Sequence, residues 1–182
     1  SSLLVFSNKG KMYSLSIDDL PVNSKVNVAQ LFEFEVGEHI TTATSIARKN
    51  EVKYFTFITK NGMIKKTKAT EYEHRRGKSL KAINLKDDDE VVSVHFVNDE
   101  KVGILTSEGN FVIIETEEIN PIGRATAGIK AIKLSTDDKV ISSHVIYQKD
   151  NMLVTISRGG LAKKTSLEEF PVCNRGIKGR KI

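Results

Sequence analysis

Short runs of alternating apolar and polar residues recur along this chain, each interrupted by a glycine and followed by a second such run. The glycines are Gly10, Gly62, Gly109 and Gly160, at spacings of 52, 47 and 51 residues. The alternation has the period of a strand with one buried face, and glycine accepts the positive φ that a tight hairpin turn requires. The pattern therefore predicts four β-hairpins, one in each of four repeats of about fifty residues.

Each hairpin is followed by an acidic turn, a loop, a short return segment and a further strand. The returns at 77–92 and 128–141 share one pattern, with Ala82 and Ala131 separated by 49 residues. No segment shows a convincing helical periodicity. We expect an all-β protein, a propeller-like array of four-stranded blades that forms a single domain over residues 1–182. Because the chain begins on a hairpin and stops inside a fourth repeat, we expect at least one incomplete blade.

Basic residues recur at equivalent places in these repeats. One set lies in or beside the loop before the return, and it comprises Arg75, Arg76, Lys78, Arg124, Lys130, Arg175, Lys178 and Arg180. A second set follows the hairpin glycine and comprises Lys65, Lys66, Lys163 and Lys164. If the repeats are blades, both sets line the rim and suit a phosphate backbone, with neighbouring glycines letting backbone amides approach phosphates. The competing interpretation is that these side chains are solvated and protect sheet edges.

Composition narrows the class of partner. The 28 Lys and Arg residues against 23 Asp and Glu give a net charge of +5, which favours an acidic partner. Aromatic residues make up 7% with no Trp, which argues against a base-stacking platform for single strands and favours a duplex. The sequence has neither a membrane-length apolar run nor a signal-peptide pattern, and its single cysteine fits a reducing cytoplasm.

The sequence contains no recognisable catalytic or metal-binding motif. Neither a GxGxxG nor a GxxxxGK[ST] phosphate loop is present, and the four histidines lack metal-ligand spacing. His95 and His144 instead occupy matching repeat positions. The acidic run at 87–90 has a counterpart at 137–139, which predicts a turn rather than a cation site. We assign no catalytic residue, metal or cofactor to this chain.

Together these segments resemble the C-terminal domain shared by the A subunits of DNA gyrase and topoisomerase IV, the bacterial type IIA topoisomerases. The resemblance covers essentially the whole chain. It is carried by the hairpins FTFITKNGMIKKT and LVTISRGGLAKKT, the turn EEFP, and the returns KSLKAINLKDDDEVV and GRATAGIKAIKLSTDDKVI. It implies a β-pinwheel, a propeller variant whose blades exchange strands, with double-stranded DNA bent around a basic outer rim and no chemistry in the domain itself.

The resemblance also implies a setting for the domain. In the family the tyrosine nucleophile, the Mg²⁺ site and the ATPase lie elsewhere in an ATP-hydrolysing type II topoisomerase. The implied partners are double-stranded DNA, the N-terminal breakage-reunion part of the same polypeptide, and the ATPase B subunit in a heterotetramer. The implied location is the bacterial cytoplasm, at the nucleoid.

One motif separates the two enzymes of this family. Gyrase carries a box of the form QRRGGKG, whereas the nearest segment here is EHRRGKS at 73–79, without the leading Gln and two of the glycines. The segment at 26–31 also looks more like topoisomerase IV, which is therefore favoured. A protein-interaction propeller and a small-molecule-binding or hydrolytic propeller are the alternatives, although WD dipeptides and a convergent acid/base set are missing from the sequence.

Overall fold

The computed structural model describes residues 2–72 and 79–182, and strands dominate both segments. The strands are β1 (Ser2–Ser7), β2 (Lys11–Ser16), β3 (Ile40–Ser45), β4 (Tyr54–Thr59), β5 (Met63–Lys68), β6 (Leu80–Lys81), β7 (Val91–Val97), β8 (Lys101–Thr106), β9 (Asn110–Ile114), β10 (Ile129–Lys130), β11 (Val140–Ile146), β12 (Met152–Ile156), β13 (Ala162–Ser166), β14 (Val172–Cys173) and β15 (Arg180–Lys181). The predicted all-β fold class is confirmed.

Two short helices, which the sequence did not predict, lie in the first repeat: α1 (Val28–Leu31) and α2 (Ile46–Glu51). Each begins at a side chain that caps its first turn. Asn27 accepts a hydrogen bond from the Ala29 amide at 3.0 Å, and Ser45 accepts one from the Arg48 amide at 3.1 Å. A cap of this kind stabilises a helix too short to show an apolar period.

The four predicted hairpins form, and glycine and aspartate fix their turns. The hairpin glycines all have positive φ, between +75° and +86°. Asp138, just before β11, accepts hydrogen bonds from the Glu108 amide at 2.9 Å and the Asn110 side chain at 3.3 Å. Burial alone would raise the pKa of Asp138, but these and neighbouring hydrogen bonds hold the pKa below its usual range. Asp89 accepts the matching bond from the Asn61 amide, so the acidic runs are turns that cap hairpins.

Each of the first three blades takes its outermost strand from the repeat that follows. The strand orders are β3-β1-β2-β6 and β7-β4-β5-β10, and in the third blade β11-β8-β9 with both β14 and β15 on β9. The strands β6, β10 and β15 each follow the hairpin of the next repeat. This is the strand exchange that the resemblance implied.

Apolar faces pack between neighbouring blades. The Phe6 ring contacts Phe55 and Phe57 edge-on, at centroid distances of 5.7 and 5.8 Å, and all three are buried. Ile64 of the second blade and Ile104 of the third belong to a second buried cluster. Each such side chain contributes roughly 1.5–3 kcal/mol on burial, so these interfaces hold successive blades together.

The fourth hairpin, β12 with β13, forms a two-stranded sheet of its own. Its apolar residues Val154, Ile156 and Leu161 are 61%, 72% and 79% exposed. Leu4 and Phe6, which hold the places of Val154 and Ile156 relative to the hairpin glycine of the first repeat, are fully buried. In the two described segments no helix is both long enough and apolar enough to cross a membrane.

Candidate nucleic-acid interface

The outer strand of each of the first three blades carries one lysine at the same place. In each case the next residue donates its backbone N–H to the carbonyl of a hairpin glycine in the preceding repeat, at 2.8–2.9 Å. This shared bond makes the three positions structurally equivalent. We call these residues the rim lysines, and they are Lys81, Lys130 and Lys181, all exposed.

The loops before these outer strands carry arginines at a second equivalent place. The amide of Asn84 donates to the Thr126 carbonyl at 3.0 Å, and the amide of Lys133 donates to the Ile177 carbonyl at 2.9 Å. Each accepting residue follows an arginine by two positions. These loop arginines are Arg124, which is partly exposed, and Arg175, which is exposed. The Arg124 guanidinium also donates to the Lys81 carbonyl.

The remaining predicted residues of the loops divide into two groups. Lys178 and Arg180 are exposed. Arg180 also donates to the Glu169 carbonyl, and its guanidinium lies 3.9 Å from the Glu169 carboxylate. Arg75, Arg76 and Lys78 lie outside the described residues.

Two glycines near the arginines lie where a side chain would not fit. A Cβ on Gly128 would lie 2.9 Å from the Ile64 carbonyl oxygen, and one on Gly179 would lie 2.7 Å from that of Phe111. Both contacts are with the edge strand that the return joins. These glycines therefore let β10 and β15 pack against those strands.

Lys65 and Lys66 are a correction to the predicted rim. Lys65 is 0% exposed and Lys66 is 3% exposed. The Lys65 ammonium donates to the Ala82 carbonyl at 2.8 Å, and the Lys66 ammonium donates to the Thr116 carbonyl at 2.9 Å. Both side chains are directed into interfaces between blades, so neither reaches a phosphate in this structure.

Lys163 and Lys164 occupy the same two places in the fourth hairpin and are exposed on β13. Two of the rim lysines, Lys81 and Lys181, were not among the residues predicted from the sequence. The signal that would have found Lys81 was present, because aligning Ala82 with Ala131 places Lys81 on Lys130.

A polar cluster lies between β7 and β11, which we call the inner strands because each is at the end of its sheet opposite to the outer strand. His95 Nε2 lies 2.7 Å from Ser143 Oγ and 3.3 Å from Ser93 Oγ. Burial, with repulsion from His144, lowers the pKa of His95 to about 4, so the imidazole is neutral near pH 7. His95 pairs with Thr56 and His144 with Gly103, which confirms that the two histidines are matching repeat positions.

Across residues 2–72 and 79–182, no group of three or more His, Cys, Asp or Glu side chains converges as a metal site. The rim lysines and the loop arginines give this surface positive charge at repeated positions. Lysine ammonium groups and arginine guanidinium groups at such positions can neutralise phosphates.

Known proteins are similar to this chain in both sequence and fold. A family model described as "DNA gyrase C-terminal domain, beta-propeller" matches residues 1–26, 53–98, 104–146 and 151–182. The DNA gyrase A subunit of Lawsonia intracellularis is 32% identical over 97% of this chain, which spans 22% of that relative's length.

Solved structures of type II topoisomerase C-terminal domains have a similar fold. A crystal structure of the C-terminal domain of DNA topoisomerase IV superposes on 100% of this chain and 58% of its own, with a TM-score of 0.91 and 32% identity. A structure of the DNA gyrase A C-terminal domain superposes on 98% of this chain and 59% of its own with a TM-score of 0.78, and at 24% identity it supports the fold alone. Because the family match reaches all four repeats, the chain belongs to the family of DNA gyrase C-terminal domains.

Proposed function

We propose that this domain binds double-stranded DNA along its outer strands and bends the duplex around them. The observation that carries the proposal is the repetition of exposed cations at equivalent places, the rim lysines on three successive blades and the loop arginines beside them. A duplex presents phosphates at regular spacing, and repeated cations on a curved edge match that arrangement. The rim lysines and the loop arginines lie on strands and loops and not on a helix that could read a groove, so we expect little sequence preference.

The proposal extends to the whole protein. The chain spans about a fifth of the length of the gyrase A subunit it matches. We infer a type II topoisomerase A subunit whose breakage-reunion part lies outside this domain and whose ATPase B subunit completes a heterotetramer at the bacterial nucleoid. Catalysis, ATP and Mg²⁺ then belong to those other parts, and this domain presents DNA for strand passage.

Within the family we favour topoisomerase IV over gyrase, because the segment at 73–79 lacks the full QRRGGKG box. The test is to bind the domain to relaxed plasmid, ligate, remove the protein and measure the linking number. A domain of the topoisomerase IV type is expected to leave the linking number nearly unchanged. A large change of one sign would instead favour gyrase.

The DNA-binding proposal is tested by titrating a fluorescent duplex at several salt concentrations. If about six phosphates are contacted, the slope of log K against log salt is about −5. Replacing all three rim lysines with Ala should reduce the size of that slope by ~3 units, weaken all duplex sequences alike, and leave folding intact because exposed charges contribute little to stability.

The matched control is a second triple Lys→Ala variant, which changes the net charge by the same amount as the rim-lysine variant. Lys53, Lys139 and Lys149 are also exposed but lie outside the outer strands and the loops that precede them. Their replacement with Ala should leave the slope near that of the wild type. If the slope of log K against log salt decreases equally in both triple variants, the rim lysines have no special role. If the unaltered domain fails to bind duplex at all, a protein-interaction scaffold becomes the better explanation.

A further inference from the structure

The buried ammonium of Lys65 lies directly beneath the loop that carries Arg124. It donates hydrogen bonds to the carbonyls of Ala82 at 2.8 Å, of Thr126 at 3.4 Å, and of Arg124 itself. We call this ammonium with its three carbonyls the clasp. The Glu71 carboxylate adds to it by accepting a hydrogen bond from the Arg124 amide at 2.8 Å.

The clasp brings together residues from three repeats. Lys65 lies on β5 of the second blade, whereas Ala82 follows β6 on the edge of the first blade. Arg124 and Thr126 belong to the loop that arrives from the third hairpin. Lys65 therefore links the backbone of this loop to both the first and the second blade. The Glu71 carboxylate and the Asn84 amide hold the same loop at Arg124 and Thr126.

Folding alone does not require a lysine at this position. The equivalent residue three places after the hairpin glycine is Tyr13 in the first repeat and Val112 in the third, and both are buried. In the fourth repeat it is Lys163, which is exposed and so is not a buried lysine either. Burying an ammonium costs free energy that an apolar side chain does not. Burial also lowers the pKa of Lys65 to about 7, against the opposing effect of Glu71. Because burying this ammonium costs free energy, we infer that its hydrogen bonds have a specific task.

We propose that Lys65 is a positioning residue that holds the Arg124 loop in place for contact with DNA. The proposal rests on the DNA-binding function proposed above. It assigns Lys65 no contact with phosphate. The Arg175 loop supplies a contrast within the same molecule, because the strand beneath it carries Val112 at the equivalent position. Loss of Lys65 should therefore disable one loop arginine and spare the other.

The test combines Lys65→Met with Arg124→Ala in the intact domain. In the wild-type background, Arg124→Ala should lower the size of the salt slope for duplex binding by about one unit. In the Lys65→Met background the same change should have almost no further effect, since the arginine is already misplaced. Arg175→Ala should still cost about one unit there. If the effects of Lys65→Met and Arg124→Ala are additive, the proposal is overturned.

Lys66→Met is the matched control. It also removes a buried ammonium from β5, but its partner is the Thr116 carbonyl, away from the clasp. Arg124→Ala should keep its full effect in that background. If Lys65→Met fails to fold, Lys65→Val takes its place, because Val112 already fills this position in the third blade.

Hydrogen exchange without DNA separates this proposal from the one on which it rests. Lys65→Met should speed exchange at the amides of Arg124 and Thr126 at least tenfold relative to Lys66→Met. Equal exchange in the two variants means that the clasp does not order the loop and overturns the proposal. If the wild type does not bind duplex, the proposed function fails, and Lys65 loses its role in DNA contact even where the exchange difference is found.

Discussion

His95 is held between two serine hydroxyls on the inner strands as a neutral imidazole. Its pKa of about 4 in the folded state lies below the ordinary value of 6.5, so between these values the unfolded chain binds the proton more tightly. The contribution of His95 to the free energy of unfolding is therefore fully present above pH 6.5. It falls as the pH drops towards 4, by up to about 3 kcal/mol. Urea unfolding at a series of pH values would measure this slope.

The contribution of His95 is isolated by His95→Gln, which keeps a polar group near Ser143 but cannot gain a charge. This variant should lose less stability than the wild type between pH 6.5 and 4, whatever the carboxylates contribute. His39 is an exposed histidine in the first repeat, so His39→Gln should retain the wild-type pH dependence. Parallel curves for the wild type and His95→Gln would contradict the argument.

Among the elements, the two-residue strand β10 depends on a single glycine, as β15 does. Its N-terminal neighbour Gly128 lies so close to β5 that an added Cβ would meet the Ile64 carbonyl oxygen at 2.9 Å and its carbon at 3.2 Å. Backbone cannot move aside as a flexible side chain can. Gly128→Ala should therefore push β10 off the second blade and destabilise the domain by about 1–3 kcal/mol, measured by thermal or urea unfolding.

Gly123 provides the comparison within the same loop. A Cβ there would meet only the methyl group of Thr126 at 3.7 Å and the Glu71 carboxylate at 4.0 Å, which are ordinary contacts. Gly123→Ala should leave stability within about 1 kcal/mol of the wild type, or slightly raise it by restricting the unfolded chain. A Gly128→Ala variant as stable as Gly123→Ala would show that the close approach of β10 is not required.

The sequence predicted those elements whose cause is local. Gly62 with alternating neighbours is enough to indicate a hairpin, and Asp138 beside a strand is enough to indicate a turn. The edge that a return segment joins is a long-range matter, and only the family resemblance supplied it. The burial of Lys65 was missed for the same reason, since the carbonyls that bind its ammonium come from residues 17, 59 and 61 positions away.

At the scale of the whole molecule, the cations lie on successive blades, so a straight duplex would reach only one or two of them. Bending a site of 20–30 bp by 40–90° costs about 1–6 kcal/mol, which contacts on further blades can offset. We expect end-labelled duplexes of about 40 bp to shorten end to end on binding, measured by fluorescence transfer. Arg124→Ala with Arg175→Ala should reduce the shortening.

The control for bending is Arg48→Ala with Arg158→Ala, two exposed arginines outside the loops that precede the outer strands. This pair should leave the end-to-end distance of the bound duplex unchanged. Ends that stay at their free separation under saturating wild-type protein would leave the domain as a tether for straight DNA. Equal loss of shortening in both double variants would argue against the loop arginines in particular.

Because each of the first three blades takes its outer strand from the next repeat, the blades can be completed only one after another during synthesis on the ribosome. A blade that has just emerged keeps an open edge until the next hairpin and its return segment have been made. At 5–20 residues per second, a repeat of about fifty residues takes roughly 3–10 s. During that interval the newest blade has a strand edge open to wrong pairing, either with its own neighbours or with another nascent chain. A pause at any point between a hairpin and the return segment of the next repeat would lengthen this exposure.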